Sequence, residues 1–160
     1  MNVNNLLCRA KSVLTREFAY GYVVAYNNGR MWLTREEGNE IISEEVCRKT
    51  CDLYLGIKDV HGERIFGRDI LKLTMIDGDS CCGNTIEKFF SIFWDDKTLS
   101  FRMIRCGNFV LCDPEGMTWD AGALNSNIIE RIEVIGNLID NPHGKGLDLP
   151  EGIEIRGVYE

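Results

Sequence analysis

The chain has 160 residues, 44% of them hydrophobic and 27% charged, with a formal net charge of −7. That length gives one domain, or two small lobes, with a buried core, and the composition excludes a disordered chain. No apolar run reaches the roughly 20 residues of a membrane helix, and the acidity disfavours a conventional nucleic-acid binder, which holds phosphates with Lys and Arg.

The first residues, Met1-Asn-Val-Asn-Asn-Leu-Leu-Cys8-Arg9, carry no basic stretch followed by a long apolar one. The expectation is a cytoplasmic protein without a signal peptide. The acidity is uneven. Residues 1–80 hold 11 Lys/Arg against 12 Asp/Glu, and residues 81–160 hold 7 against 13. An acidic second half suits a basic partner.

Phe18-Ala-Tyr20-Gly-Tyr22-Val-Val24-Ala-Tyr26 is aromatic and β-branched, the composition of a strand. Asn27-Asn28-Gly29 signals a hairpin turn, and Met31-Trp32-Leu33-Thr34 is its return. Residues 35–45 hold Glu36, Glu37, Glu40, Glu44 and Glu45. They read as a solvated connection with at most one helical turn. Leu53-Tyr54-Leu55 leads to a turn at Asp59–Gly62. Ile65-Phe66 and Gly67-Arg68-Asp69 lead into a buried strand, Ile70–Ile76, followed by a loop over Asp77–Asn84. Phe89–Trp94 and Leu99–Arg105 flank Asp95-Asp96-Lys97-Thr98 as a second hairpin. Its alternation sends Leu99, Phe101 and Met103 inward and Ser100 and Arg102 outward. Gly107-Asn108 and Asp113–Gly116 are turns. Ile128–Ile135 is a strand closed by Gly136-Asn137. Gly144-Lys145-Gly146 and Pro150-Glu151-Gly152 break the tail, and Ile153-Glu154-Ile155 fits a short edge strand. Many short strands between Gly, Asp and Asn turns predict a mainly β fold.

Seven cysteines, Cys8, Cys47, Cys51, Cys81, Cys82, Cys106 and Cys112, fit reduced thiols serving as small hydrophobes. Cys47-x3-Cys51 lacks a second half at zinc-ribbon spacing. Neither a metal nor a cofactor is expected. Phosphate-loop, dinucleotide and nucleophile-elbow motifs are absent. His61 and His143 fall in turns and read as exposed. Asp59 and Asp69 admit two readings. They could bind a cation or act as acid and base. Alternatively, each carboxylate accepts the amides of its own turn, and this second reading is favoured. Tyr20, Tyr22, Tyr26 and Trp32 could form a stacking platform, although a period of two sends half of a strand's side chains inward. Trp94 and Trp119 read as core or inter-lobe packing.

These segments resemble the YopX family of bacteriophage and prophage proteins. The family pattern Gly-Leu-x-Asp-x-x-Gly reads here Gly56-Ile57-Lys58-Asp59-Val60-His61-Gly62. An apolar aromatic pair follows as Ile65-Phe66, and Glu-Gly-Asp-Ile-Val reads Gly67-Arg68-Asp69-Ile70-Leu71. The downstream Glu-Val-Ile-Gly-Asn-Ile-x-Glu-Asn-Pro reads Glu133-Val134-Ile135-Gly136-Asn137-Leu138-Ile139-Asp140-Asn141-Pro142. Upstream, Phe18-Ala19-Tyr20-Gly21-Tyr22 resembles Trp-x-Tyr-Gly-Tyr. One departure stands out: Arg68 separates Gly67 from Asp69, where the pattern has Gly directly before Asp.

The resemblance implies a mainly β fold containing an SH3-like small barrel, here with an additional N-terminal β-hairpin lobe. The expected organisation is a single domain over 1–160, with a hairpin lobe over 1–48, a barrel core over 49–142 and a tail over 143–160. It brings no catalytic residues, and an enzymatic role is disfavoured. The motif residues Gly56, Asp59, Gly62, Gly67, Asp69, Ile70, Glu133, Gly136, Asn137, Asn141 and Pro142 read as structural. The expected role is a phage-encoded binding or assembly module in the bacterial host cytoplasm, with a protein partner or self-association. Nucleic acid and membrane are not expected partners. Alternatives are an acidic decoy for a host nucleic-acid-binding protein, a nucleic-acid binder, or a hydrolase acting on nucleotides.

Overall fold

The alternating apolar segments become strands. The computed structural model describes residues 7–25, 28–76, 83–95, 97–106, 118–120, 122, 124 and 129–155. Among these, the fold is mainly β, built from two antiparallel sheets. The chain divides into two compact units, Met1–Leu55 and Gly56–Glu160.

The first unit contains β1 (Leu7–Lys11), β2 (Phe18–Ala25), β3 (Met31–Glu37), β4 (Glu40–Val46) and most of β5 (Asp52–Lys58). With β6 (Arg64–Phe66) these form a sheet in the order β4-β3-β2-β1-β5-β6. The end of β1 also meets β4 through a bridge between Ser12 and Val46. Val13 N–H donates to the Glu45 carbonyl at 2.9 Å and Cys47 N–H to the Lys11 carbonyl at 2.8 Å. The four-stranded ribbon therefore closes on itself at this end. Its inward face holds mostly small residues, Cys8, Ala10 and Ala19, with Leu33 and Val46. The close packing is visible at Gly21, where an added Cβ would lie 2.6 Å from the Thr34 carbonyl oxygen. A buried ion pair, Arg9 with Asp52, joins β1 to β5 at 3.5 Å.

Two parts of this unit differ from the sequence reading. Residues 7–11 form a central strand that composition does not announce, because Arg9 and Lys11 disguise the small inward residues. Residues 35–45 form a hairpin, not a connection. Their glutamates are spent on the strands: Arg30 pairs with Glu45, and Arg35 with Glu37 at 2.6 Å and Glu44 at 3.5 Å. Opposite charges on neighbouring strand positions stabilise a sheet that faces water.

The second unit holds β6, β7 (Asp69–Ile76), β8 (Thr85–Asp95), β9 (Ser100–Cys106), β10 (Thr118–Asp120) and β11 (Ile129–Asn137). The last five form a sheet in the order β10-β9-β8-β7-β11. The buried strand expected at Ile70–Ile76 is β7. The sheet buries apolar side chains on both faces. Leu71, Leu73, Phe90 and Met103 are fully buried on one. Ile70, Phe89 and Cys106 lie on the other, with Leu147, Leu149, Ile153 and Ile155 packed against them. Residues 153–155 accordingly form no strand. Ile155 is an apolar plug, and burying it outweighs edge pairing.

Leu99 is 73% exposed, not inward, because it occupies a left-handed turn position with φ +50° ahead of β9. Trp94 is exposed and stands edge-on to Phe101, 5.1 Å between ring centroids, which excludes the core half of its sequence reading. Asp95 does shape the hairpin tip, accepting Lys97 N–H at 3.0 Å and the Thr98 hydroxyl at 2.8 Å. The turns at Gly107-Asn108 and Asp113–Gly116, most of the Asp77–Asn84 loop, and Cys81, Cys82 and Cys112 lie outside the described residues. Among the described residues no helix is long and apolar enough to cross a membrane.

Candidate functional site

The motif residues lie in the unit Gly56–Glu160. The turn joining β5 to β6 is organised by Asp59, which is buried. Its Oδ1 accepts His61 N–H and Glu63 N–H, each at 2.8 Å. Its Oδ2 accepts Val134 N–H, 3.1 Å away on β11. Val60 N–H in turn donates to the Ile132 carbonyl at 2.9 Å. β11 is the edge strand of its sheet. An edge strand leaves alternate backbone groups without a strand partner, and this turn supplies partners at 132 and 134. Burial pushes the Asp59 carboxyl up. The N–H donors of Val134, Glu63 and His61 outweigh that and hold it below the ordinary carboxylate value. Gly56 and Gly62 flank the turn with φ of +86° and +83°.

The next turn, at Gly67-Arg68, ends on Asp69, which is fully buried. Asp69 Oδ2 accepts Phe66 N–H at 2.7 Å. Arg68 has φ +61°, a conformation that costs an L-residue roughly 1–2 kcal/mol and glycine nothing. Its N–H donates to the Ile92 carbonyl at 2.9 Å, and its carbonyl accepts Leu138 N–H at 2.8 Å. This backbone position thus ties the turn to β8 and to the end of β11.

The downstream motif meets the upstream one directly. In the β7–β11 register Gly136 stands opposite Ile70 and Asn137 opposite Asp69, after an irregularity between Val134 and Gly136. Gly136 is closely packed: a Cβ there would lie 2.7 Å from Asn141 Oδ1 and 2.9 Å from Leu147 Cδ2, so a larger residue would displace the ends of both side chains. Asn137 Oδ1 accepts the N–H groups of Ile139 at 3.0 Å and Asp140 at 2.9 Å. Asn141 Oδ1 accepts Asn137 N–H at 3.2 Å, and its amide donates to the Lys145 carbonyl at 3.1 Å. Pro142 opens a 3-10 turn, Pro142–Gly144. Glu133 pairs across the strands with Lys72 at 2.9 Å, with Arg131 and His61 each at 3.8 Å. The Lys72 hydrogen bond, with the charges of Lys72, Arg131 and His61, holds its carboxyl below the ordinary value against an opposing effect of burial.

The geometry therefore joins two motifs distant in sequence into one junction. It does not present Asp59 and Asp69 as a pair of open carboxylates. Asp59 accepts three backbone N–H groups and Asp69 accepts that of Phe66. His61 and His143 are exposed turn residues, the latter with φ +56°. Among the described residues no group of three His, Cys, Asp or Glu side chains is placed to hold a metal ion.

A different surface lies in Met1–Leu55. Tyr20, Tyr22 and Val24 share one face of β2 and are 41%, 44% and 38% exposed. Trp32 stands opposite Val24 on β3, with the Arg30 guanidinium 5.7 Å from its ring centroid. Lys11 lies 3.9 Å and Arg9 4.8 Å from the ring centroid of Phe18. Three members of the aromatic platform thus lie on one strand pair, and Tyr26 lies outside the described residues.

Residues 20–143 match the family described as YopX protein. The chain belongs to the YopX family. Among solved structures it is similar to the crystal structure of protein yopX from Bacillus subtilis, at 18% identity and TM-score 0.48, over 87% of this chain and 96% of that one. Among curated proteins none matches. The matched range runs from the exposed Tyr20 through the whole junction to His143. The left-handed φ of Arg68 is one that glycine adopts without strain. The sequence reading missed β1 and the covering role of residues 147–155. The recurrence of Leu147, Leu149, Ile153 and Ile155 was the available signal for the latter.

Proposed function

We propose that this YopX-family chain is a phage or prophage protein-binding module that works in the bacterial host cytoplasm. The apolar face of β2 and β3 is its docking surface, and the motif junction is scaffold. The observation that carries this reading is the row Tyr20, Tyr22 and Val24, exposed side by side with Trp32 next to them. Tyr, Trp and Arg are the side chains enriched in protein interfaces, and contiguous exposed apolar surface marks such sites. A protein suits this face better than a nucleic acid. Arg30 is already paired with Glu45 and Arg9 with Asp52, so few cations remain for phosphates. The formal charge of −7 also works against a second copy of the chain. The junction supports the scaffold half of the reading, because a carboxylate that accepts several backbone amides is a weak base and is held in place. The whole chain, 1–160, is taken as the functional unit.

The test is capture from a bacterial host lysate by immobilised wild type and by the Tyr20→Ser/Tyr22→Ser double variant, with light scattering on both. The expected result is a partner held by wild type at both low and high salt, and lost by the variant. Capture that survives in the variant but dissolves with salt would assign binding to the acidic second half instead. No capture, with or without concentration-dependent dimers, overturns the proposal.

A further inference from the structure

The closed end of the first unit holds two neighbouring thiols. Cys8 lies on β1 directly opposite Leu53 of β5. Cys51 precedes Leu53 by two residues, and its side chain shares a hydrogen bond with that of Cys8. Both belong to one apolar cluster, in which Cys8 is buried and Cys51 is half-buried. Cys47, the sequence neighbour that suggested a Cys-x3-Cys motif, lies beyond the intervening turn Arg48–Thr50 and is not in that cluster.

We propose that Cys8 and Cys51 form a redox-responsive dithiol that a peroxide converts to a disulfide tying β1 to the start of β5. The chemistry divides between them. The hydrogen bond that its S–H donates to the Cys51 sulfur, burial, and the negative charges of Cys51 and Asp52 push the Cys8 thiol up, so it stays protonated at neutral pH. Cys51 is the member that solvent reaches. Its sulfur attacks the peroxide oxygen, giving a sulfenic acid and one water. The Cys8 sulfur then attacks the Cys51 sulfur. The S–S bond forms, the S–O bond breaks, and the departing hydroxide takes the Cys8 proton as a second water. The two thiols lose two electrons in total, and the peroxide gains them. A reductant thiol reverses the change by exchange.

The bridge would close a loop from residue 8 to residue 51 that contains β2, β3 and β4. Crosslinking a loop of that length restricts the unfolded chain, and a melting temperature higher by roughly 10 °C is expected on oxidation.

The full chain is treated with hydrogen peroxide, free thiols are alkylated, and peptides are mapped by mass spectrometry without reduction. The expected result is a Cys8–Cys51 linked peptide as the main product, removed by dithiothreitol, together with a higher melting temperature. Persistence of alkylated Cys8 and Cys51 after peroxide treatment overturns the proposal. So does oxidation of Cys51 to sulfinic acid without linkage, or preferential pairing with another cysteine. Mapping needs no variant, so a folding defect cannot obscure it. Cys51→Ser, where it folds, should lose the thermal shift, and retention of the shift counts against the proposal.

Discussion

The two units solve the same problem with different materials. Gly56–Glu160 buries large side chains on both faces of its sheet, and Phe66, Phe90, Ile70, Leu71, Leu73 and Met103 are almost completely hidden. Met1–Leu55 is built around Cys8, Ala10 and Ala19 and a buried ion pair, and it leaves Tyr20, Tyr22 and Val24 in water. The difference separates two kinds of conspicuous residue. Among the motif residues of the second unit, Asp59 and Asp69 accept backbone N–H groups of turns and of an edge strand. The aromatic row of the first unit is conspicuous because its side chains are exposed.

The largest expected effect tests whether the small core depends on its ion pair. Asp52→Ala leaves Arg9 charged and buried, which costs about 3–5 kcal/mol. Urea unfolding should show a loss of that size, and a change below about 1 kcal/mol would remove the pair from the account.

Asp59→Asn breaks the junction without changing its volume. The amide keeps one acceptor where a carboxylate served three backbone N–H groups. The expected loss is about 1–3 kcal/mol. The pH dependence has a defined sign. The folded carboxyl titrates below its ordinary value of 3.8, so its contribution is complete above the unfolded value and is lost as pH falls through the folded one. Wild type should therefore weaken in acid below about pH 5, and the variant should weaken less steeply. Parallel acid limbs in the two proteins would show that Asp59 is not an ionised acceptor.

Arg68→Gly is the next test and runs in the opposite direction. It relieves a left-handed backbone position and should stabilise by up to about 1 kcal/mol, offset by the added freedom of the unfolded chain. Destabilisation would mean that the guanidinium contributes more than the backbone strain costs. The smallest expected effect on stability belongs to Tyr20→Ser/Tyr22→Ser. Exposed positions change folding by about 0.5 kcal/mol or less.

The strands were legible where apolar, aromatic and β-branched residues ran together, as in Ile70–Ile76 and Phe18–Ala25. They were hidden where inward residues were small, as at Cys8 and Ala10, or where charge was read as loop, as at Glu36 to Glu45. The site was half legible for the same reason. That Asp59 bonds its own turn follows from residues two and four places on. That it also caps Val134 depends on a contact across 75 positions, which no local pattern contains. Arg68 shows the limit from the other side. Sequence marks it as a departure from the family pattern, and only its φ says what the departure costs.

The most direct test measures melting temperature and partner capture together on Asp59→Asn and on Tyr20→Ser/Tyr22→Ser. The account predicts a crossed result. Asp59→Asn melts lower, yet its folded fraction captures the partner, whereas the tyrosine variant melts like wild type and captures nothing. The reverse pattern, with capture lost in Asp59→Asn at unchanged stability and kept without the two tyrosines, would place the working surface at the junction and contradict the account.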